Sequence, residues 1–168
     1  MSDLFVSWEQ YHRNIEQLAL QIYDSGWQFG QIVCLAKGGL RIGDILCRLF
    51  EQPLAILSIA AYGGADNRIR GDVVISQHLS MTSETLGSRI LLVDDLVDSG
   101  NSLQQAINWL NRRYGDGITE LKTAVIWQKA CSTTQPDFAV QFLADNPWIH
   151  QPFEIYEKLS LPQLSQHH

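Results

Sequence analysis

With 168 residues, 45% of them apolar and 18% charged, the chain has the composition of a folded globular domain and not of a disordered segment. Its 18 acidic residues against 12 basic ones leave a formal charge of −6, so it lacks the basic excess of a nucleic-acid binder, and no nucleic acid is expected as a partner. A phosphate bound by such a chain must be held by local amides and a metal ion rather than by bulk charge. Cys34, Cys47 and Cys131 are widely spaced and form no CxxC pair, which fits neither a zinc site nor a disulfide framework. Cys34 and Cys47 read as buried free thiols. The N-terminus, MSDLFVSWEQ, has no secretory pattern, and no apolar run approaches the ~18 residues of a membrane span. A reduced, cytoplasmic protein is expected.

In chain order, Ser7 and Gln10 have the spacing of a capping box, and Trp8, Tyr11, Ile15, Leu18, Ala19 and Ile22 recur at helical period up to Gly26. Gln31 to Ala36 reads as a buried strand, broken by Lys37-Gly38-Gly39. Ile42, Ile45, Leu46, Leu49 and Phe50 then line one face of a helix ending before Pro53. Leu54 to Ala61 is a continuous apolar strand of the kind found in parallel sheets. Gly63 to Gly71 is a polar, glycine-rich loop, and Val73 to Gln77 a short strand or hairpin arm. Arg89 to Val93 predicts a strand, Ser102 to Tyr114 a helix, and Leu121 to Trp127 and Phe138 to Leu143 two further strands. This alternation predicts an α/β fold around a mainly parallel sheet. No repeat, low-complexity tract or linker divides the chain, so residues 1–168 read as a single domain.

The chemistry concentrates in one segment. Strand Ile90–Val93 ends in Asp94-Asp95, and Asp98-Ser99-Gly100-Asn101-Ser102 turns into a helix. Such a turn aims unpaired amides and the positive end of the helix dipole at an anion. Ser99 and Ser102 add hydroxyl donors, and Gly100 permits close approach. A phosphate monoester suits this cradle, since neither GxGxxG nor GxxxxGK[ST] occurs. Asp94 and Asp95 can accept hydrogen bonds from vicinal ribose hydroxyls or bind Mg²⁺, and Asp98 can accept a proton. The plainer alternative, a helix capped by Asp98 or Ser99, does not explain an apolar run followed by three aspartates and a Ser-Gly-x-Ser turn.

VDDLVDSGNS resembles the phosphoribosyl pyrophosphate motif of type I phosphoribosyltransferases. The resemblance implies that Asp94 and Asp95 hold the ribose hydroxyls, while Asp98, Ser99, Gly100, Asn101 and Ser102 wrap the 5-phosphate. Asn101 and Ser102 stand where the family often has Gly or Arg followed by Thr. Lys37-Gly38 falls where the family has its pyrophosphate loop; lysine occurs there in hypoxanthine-guanine enzymes and arginine in most bacterial xanthine-guanine ones. Tyr62–Gly71 occupies the place of the flexible catalytic loop, with Arg68 and Arg70 as its basic residues.

WIHQPFE is similar to the Trp-Ile-x-Gln-Pro-Trp-Asp segment of bacterial xanthine-guanine phosphoribosyltransferases. It implies a base-binding hood over about residues 128–156, in which Lys129 contacts the purine O6, Trp148 stacks on the ring and the Ile149 backbone lies near the 2-position. Phe153 and Glu154 replace the family's Trp-Asp. The resemblance therefore implies an enzyme that joins phosphoribosyl pyrophosphate to a 6-oxopurine with Mg²⁺ at Asp95 and Asp94, Asp98 as catalytic base, and a homodimeric or homotetrameric assembly. The alternatives are another acceptor base, or a regulatory protein that senses phosphoribosyl pyrophosphate.

Overall fold

The structure is a computed structural model, and it describes residues 3–61 and 73–166. The loop Tyr62–Gly71, with Arg68 and Arg70, lies outside the described residues.

The chain opens with a short strand, β1 (Asp3–Phe5), and then helix α1 (Trp8–Asp24). The capping box forms as its spacing requires: the Gln10 amide donates to Ser7 Oγ at 3.1 Å, and the Ser7 amide donates to Gln10 Oε1 at 2.9 Å. Tyr11, Ile15, Leu18, Ala19 and Ile22 are buried, whereas Trp8 stays partly exposed at the margin of the stripe. Next come β2 (Gln31–Ala36), α2 (Leu40–Leu49) and β3 (Leu54–Ala61). They are followed by β4 (Val73–Ile75), β5 (Arg89–Val93), β6 (Leu96–Val97) and α3 (Asn101–Tyr114). The C-terminal part holds β7 (Glu120–Lys129), β8 (Phe138–Leu143) and β9 (Trp148–His150), then two one-turn helices, α4 (Ile155–Lys158) and α5 (Leu161–Leu164).

The main sheet runs β4-β3-β2-β5-β7-β6, with β8 on the far side of β7. Every pairing in it is parallel except that of the edge strand β4 on β3. Two apolar layers cover it. One joins α1 and α2 to the sheet through Ile15, Leu18, Ile42, Leu46, Cys34 and Trp127. The other packs Leu103, Ala106 and Leu110 of α3 on Val33, Leu35, Leu92 and Val125. Leu91 and Leu92 are fully buried on opposite sides, which is why β5 is an uninterrupted apolar run. Each such side chain contributes about 1.5–3 kcal/mol on burial.

The sequence reading differs from the fold in a few places. β1, β6 and β9 are too short to show a period, and pairing alone makes them strands. β1 and β9 form a separate parallel pair, with Leu4 opposite Ile149. β7 continues to Lys129, so that lysine ends the strand rather than following it. Cys34 is buried, but Cys47 is only half-buried at the edge of α2. No helix among the described residues is long and apolar enough to cross a membrane.

Candidate active site

β5 and β6 run alongside β7 in one register, Val93 opposite Ala124 and Leu96 opposite Trp127, and Asp94-Asp95 interrupts them. Here the backbone is fully tied. The Asp94 amide donates to the Ala124 carbonyl at 3.1 Å, and the Asp95 carbonyl accepts from the amides of Ile126 and Trp127 at 3.0 and 3.1 Å. The Asp95 amide donates to Asp94 Oδ1 at 2.9 Å. The two carboxyls are thus fixed side by side at the carboxyl end of the strand, where α/β sheets place their ligands. Burial, and then the adjacent Asp95 carboxylate, push the Asp94 carboxyl well above the usual carboxylate range.

Past β6 the chain reverses through Asp98, Ser99 and Gly100 into α3. Gly100 is the N-cap at φ +87°, and no side chain caps this helix end. That left-handed backbone is open to glycine and strained for other residues. A Cβ at Gly100 would also lie 2.6 Å from Thr134 Oγ1. The Asn101 amide is held by Ser99 Oγ at 3.3 Å, and the first-turn amides that follow have no partner within the helix. The turn is braced from behind: the Thr133 amide and Oγ1 donate to the Ser99 carbonyl at 3.1 and 3.0 Å, and Thr134 Oγ1 donates to the Gly100 carbonyl at 3.1 Å. With both carbonyls engaged, the turn's amide side is left for an anion.

Lys37, Gly38 and Gly39 link β2 to α2 next to this turn. Lys37 is exposed, and the Ala36–Lys37 peptide is cis. Gly38 sits directly on the acidic pair; a Cβ there would come within 2.3 Å of Asp95 Oδ1. The close approach explains the glycine better than a generic turn does.

Lys129 and Asp98 come together at the end of β7. Lys129 is buried, and its Nζ lies 3.3 Å from Oδ2 of the half-exposed Asp98. Cys131 is exposed and its thiol donates to Asp98 Oδ1 at 3.4 Å, which, after desolvation, raises the thiol's own pKa. Trp148 is 50% exposed at the start of β9, and the Ile149 side chain is buried. The His150 carbonyl accepts from the Val6 amide at 3.0 Å. Carbonyls alternate along a strand, so that of Ile149 faces the edge away from β1.

Five residues around the site lay outside the sequence reading of it. Thr133 and Thr134 have no motif; only their contact with the turn marks them. Arg41 lies over the rings of Phe153 at 4.4 Å and Trp8 at 5.8 Å. A basic residue in the first turn of a helix opposes the dipole, and that was its available signal. Gln151 is buried and its Nε2 donates to the Asp95 carboxylate. Tyr11 is also buried beside the pair, and desolvation, with the Asp95 charge second, raises its phenol.

Among the described residues no cluster of three or more His, Cys, Asp or Glu side chains is placed to hold a metal alone. The acidic pair nevertheless fits Mg²⁺: it offers hard oxygen donors beside an anion cradle, and Mg²⁺ characteristically takes one or two carboxylates, water and substrate phosphate oxygens.

Fold and turn together define an α/β protein whose strand–turn–helix leaves amides open to an anion beside an acidic pair. The phosphoribosyl transferase domain family matches residues 7–158, and the chain belongs to that family. A xanthine-guanine phosphoribosyltransferase of Idiomarina loihiensis is 28% identical over 155 residues, spanning 92% of this chain and 88% of the relative. The solved purine phosphoribosyltransferase of Pyrococcus horikoshii matches at TM-score 0.73 and 25% identity, over 91% of this chain and 94% of its own. The xanthine-guanine-hypoxanthine phosphoribosyltransferase of Helicobacter pylori matches at TM-score 0.76 over 99% of both chains; at 21% identity it speaks for the fold. The architecture is that of the type I phosphoribosyltransferases.

Proposed function

We propose that the protein transfers the 5-phosphoribosyl group of phosphoribosyl pyrophosphate to a 6-oxopurine, releasing pyrophosphate and a nucleoside 5′-monophosphate. The observation that carries this reading is the pairing of Lys129 Nζ with Asp98 Oδ2 at 3.3 Å. An ammonium donor beside a carboxylate acceptor complements the edge on which a 6-oxopurine presents O6 beside N7–H. Adenine offers a 6-amino donor to the same lysine and is disfavoured. The relatives named as xanthine-guanine and purine phosphoribosyltransferases support the same acceptor class.

In this reaction the bond from C1 to the diphosphate oxygen breaks, the bond from C1 to the purine nitrogen forms, and Asp98 takes the purine proton. The amides and hydroxyls of Ser99, Gly100, Asn101 and Ser102 hold the 5-phosphate. Asp94 and Asp95 hold the ribose hydroxyls and Mg²⁺, which when bound neutralises charge on the departing diphosphate. Lys37 and the Gly38 amide receive that diphosphate. Trp148 covers the purine face, and the Ile149 carbonyl is turned so that it can meet a 2-substituent. Incubation with phosphoribosyl pyrophosphate, Mg²⁺ and a panel of bases tests the reading. Pyrophosphate release with hypoxanthine, guanine or xanthine is expected; release with adenine or orotate alone would replace the acceptor class.

A further inference from the structure

Gln151 is an unusual core residue. It is 9% exposed, its Nε2 donates to the Asp95 carboxylate, and its Oε1 is buried without a partner. Its backbone is committed as well, since its carbonyl accepts from the Glu154 amide at 3.1 Å in the turn that follows β9. For packing alone, leucine would fill this place without burying an unpaired polar atom.

The Gln151 side chain has one polar target, the Asp95 carboxylate. The Asp95 backbone is fixed by the Ile126, Trp127 and Asp94 contacts, so only its side-chain torsions remain free. Gly38 closes one side of that carboxylate. Gln151 closes the side facing β9. Gln151 also follows Trp148 and Ile149 by three and two residues on the same short strand and turn.

We propose that Gln151 is a positioning residue that orients Asp95 from the purine side of the site, and that it thereby couples purine occupancy to phosphoribosyl pyrophosphate binding. The coupling part rests on the purine-transferase reading; the orientation part does not. A purine that steadies β9 through Trp148 and Ile149 steadies the Gln151 donor, and Asp95 is then held in its binding rotamer. Thermodynamic linkage makes the effect reciprocal.

Two measurements on the full chain test it. Calorimetric titration with phosphoribosyl pyrophosphate and Mg²⁺, without a base, reads the orientation of Asp95 directly. Losing a donor to a charged group predicts about tenfold weaker binding for Gln151→Leu. Steady-state kinetics read the coupling. In the wild type, KM for phosphoribosyl pyrophosphate falls as the purine is raised through its own KM. In Gln151→Leu that KM is higher and no longer depends on the purine. If Gln151→Leu binds phosphoribosyl pyrophosphate as tightly as wild type and only melts earlier, the residue is packing and the proposal falls. Should Gln151→Leu not fold, Gln151→Met, which keeps the length and removes the amide, decides by the same titration. A wild type that turns over no base, together with the calorimetric loss in Gln151→Leu, would overturn the purine reading and keep the orientation of Asp95.

Discussion

The two halves of the site are built in different ways. The proposed sugar-phosphate half is a contiguous piece of chain, from Arg89 in β5 to the first turn of α3, and its geometry is local: an apolar strand, two aspartates, a left-handed glycine and a helix start. The proposed purine half is assembled. It would take Lys129 from the end of β7, Asp98 from the turn, and Trp148 and Ile149 from β9, a strand zipped along one edge to β1 at the other end of the chain. A local site tolerates little change in its own backbone. An assembled one depends on side-chain pairs that can be broken one at a time.

Gly100→Ala should have the largest effect, because it strikes the local half. The left-handed backbone costs about 1–2 kcal/mol for a residue with a Cβ. Contact with Thr134 adds to it. A lower Tm and a loss of phosphoribosyl pyrophosphate binding by about a hundredfold or more are expected, measured by calorimetry. Full affinity would show that the cradle does not depend on this turn.

Asp98→Asn belongs to both halves and separates them. Turnover should fall by about 10²–10⁴, the range of a lost general base, while phosphoribosyl pyrophosphate binding changes little. Equal losses in both would remove the base role. Lys129→Ala should act on the assembled half alone: KM for the purine rises about tenfold or more, and the preference against adenine shrinks. An unchanged preference would refute the O6 contact.

The smallest effect concerns pH. Asp94 is raised by burial and by Asp95. In the metal-free folded chain it therefore keeps a proton, above the ordinary carboxylate range, that the unfolded chain has already lost. Its contribution to stability is full at low pH and is lost as pH rises toward its raised value. Denaturant midpoints taken with a chelator should show this decline, and Asp94→Asn should flatten it. A decline that persists unaltered in the variant would assign it to another group.

The same contrast explains what the sequence disclosed. Apolar runs and one capping box sufficed for α1, β2, β3 and β5, because burial on both faces of a parallel sheet leaves a continuous signature. The strand–turn–helix of VDDLVDSGNS was legible because its residues are contiguous in the chain. Lys129 and Trp148 are proposed for the site only through a resemblance, since a lysine at a strand end and a lone tryptophan have no pattern of their own. Gln151, Thr133 and Thr134 reach across 34 to 56 residues of chain to Asp95, Ser99 and Gly100, and nothing local marks them. Three short strands escaped for the same reason, as each becomes a strand only by pairing.

The central claim is that Lys129 and Asp98 present a donor and an acceptor to the O6 and N7 edge of a purine. Comparing kcat/KM for hypoxanthine and adenine under identical phosphoribosyl pyrophosphate and Mg²⁺ tests it most directly. A preference for hypoxanthine of about a hundredfold or more is expected, the penalty for opposing two donors in a buried contact. Equal use of the two bases, or a preference for adenine, would contradict it.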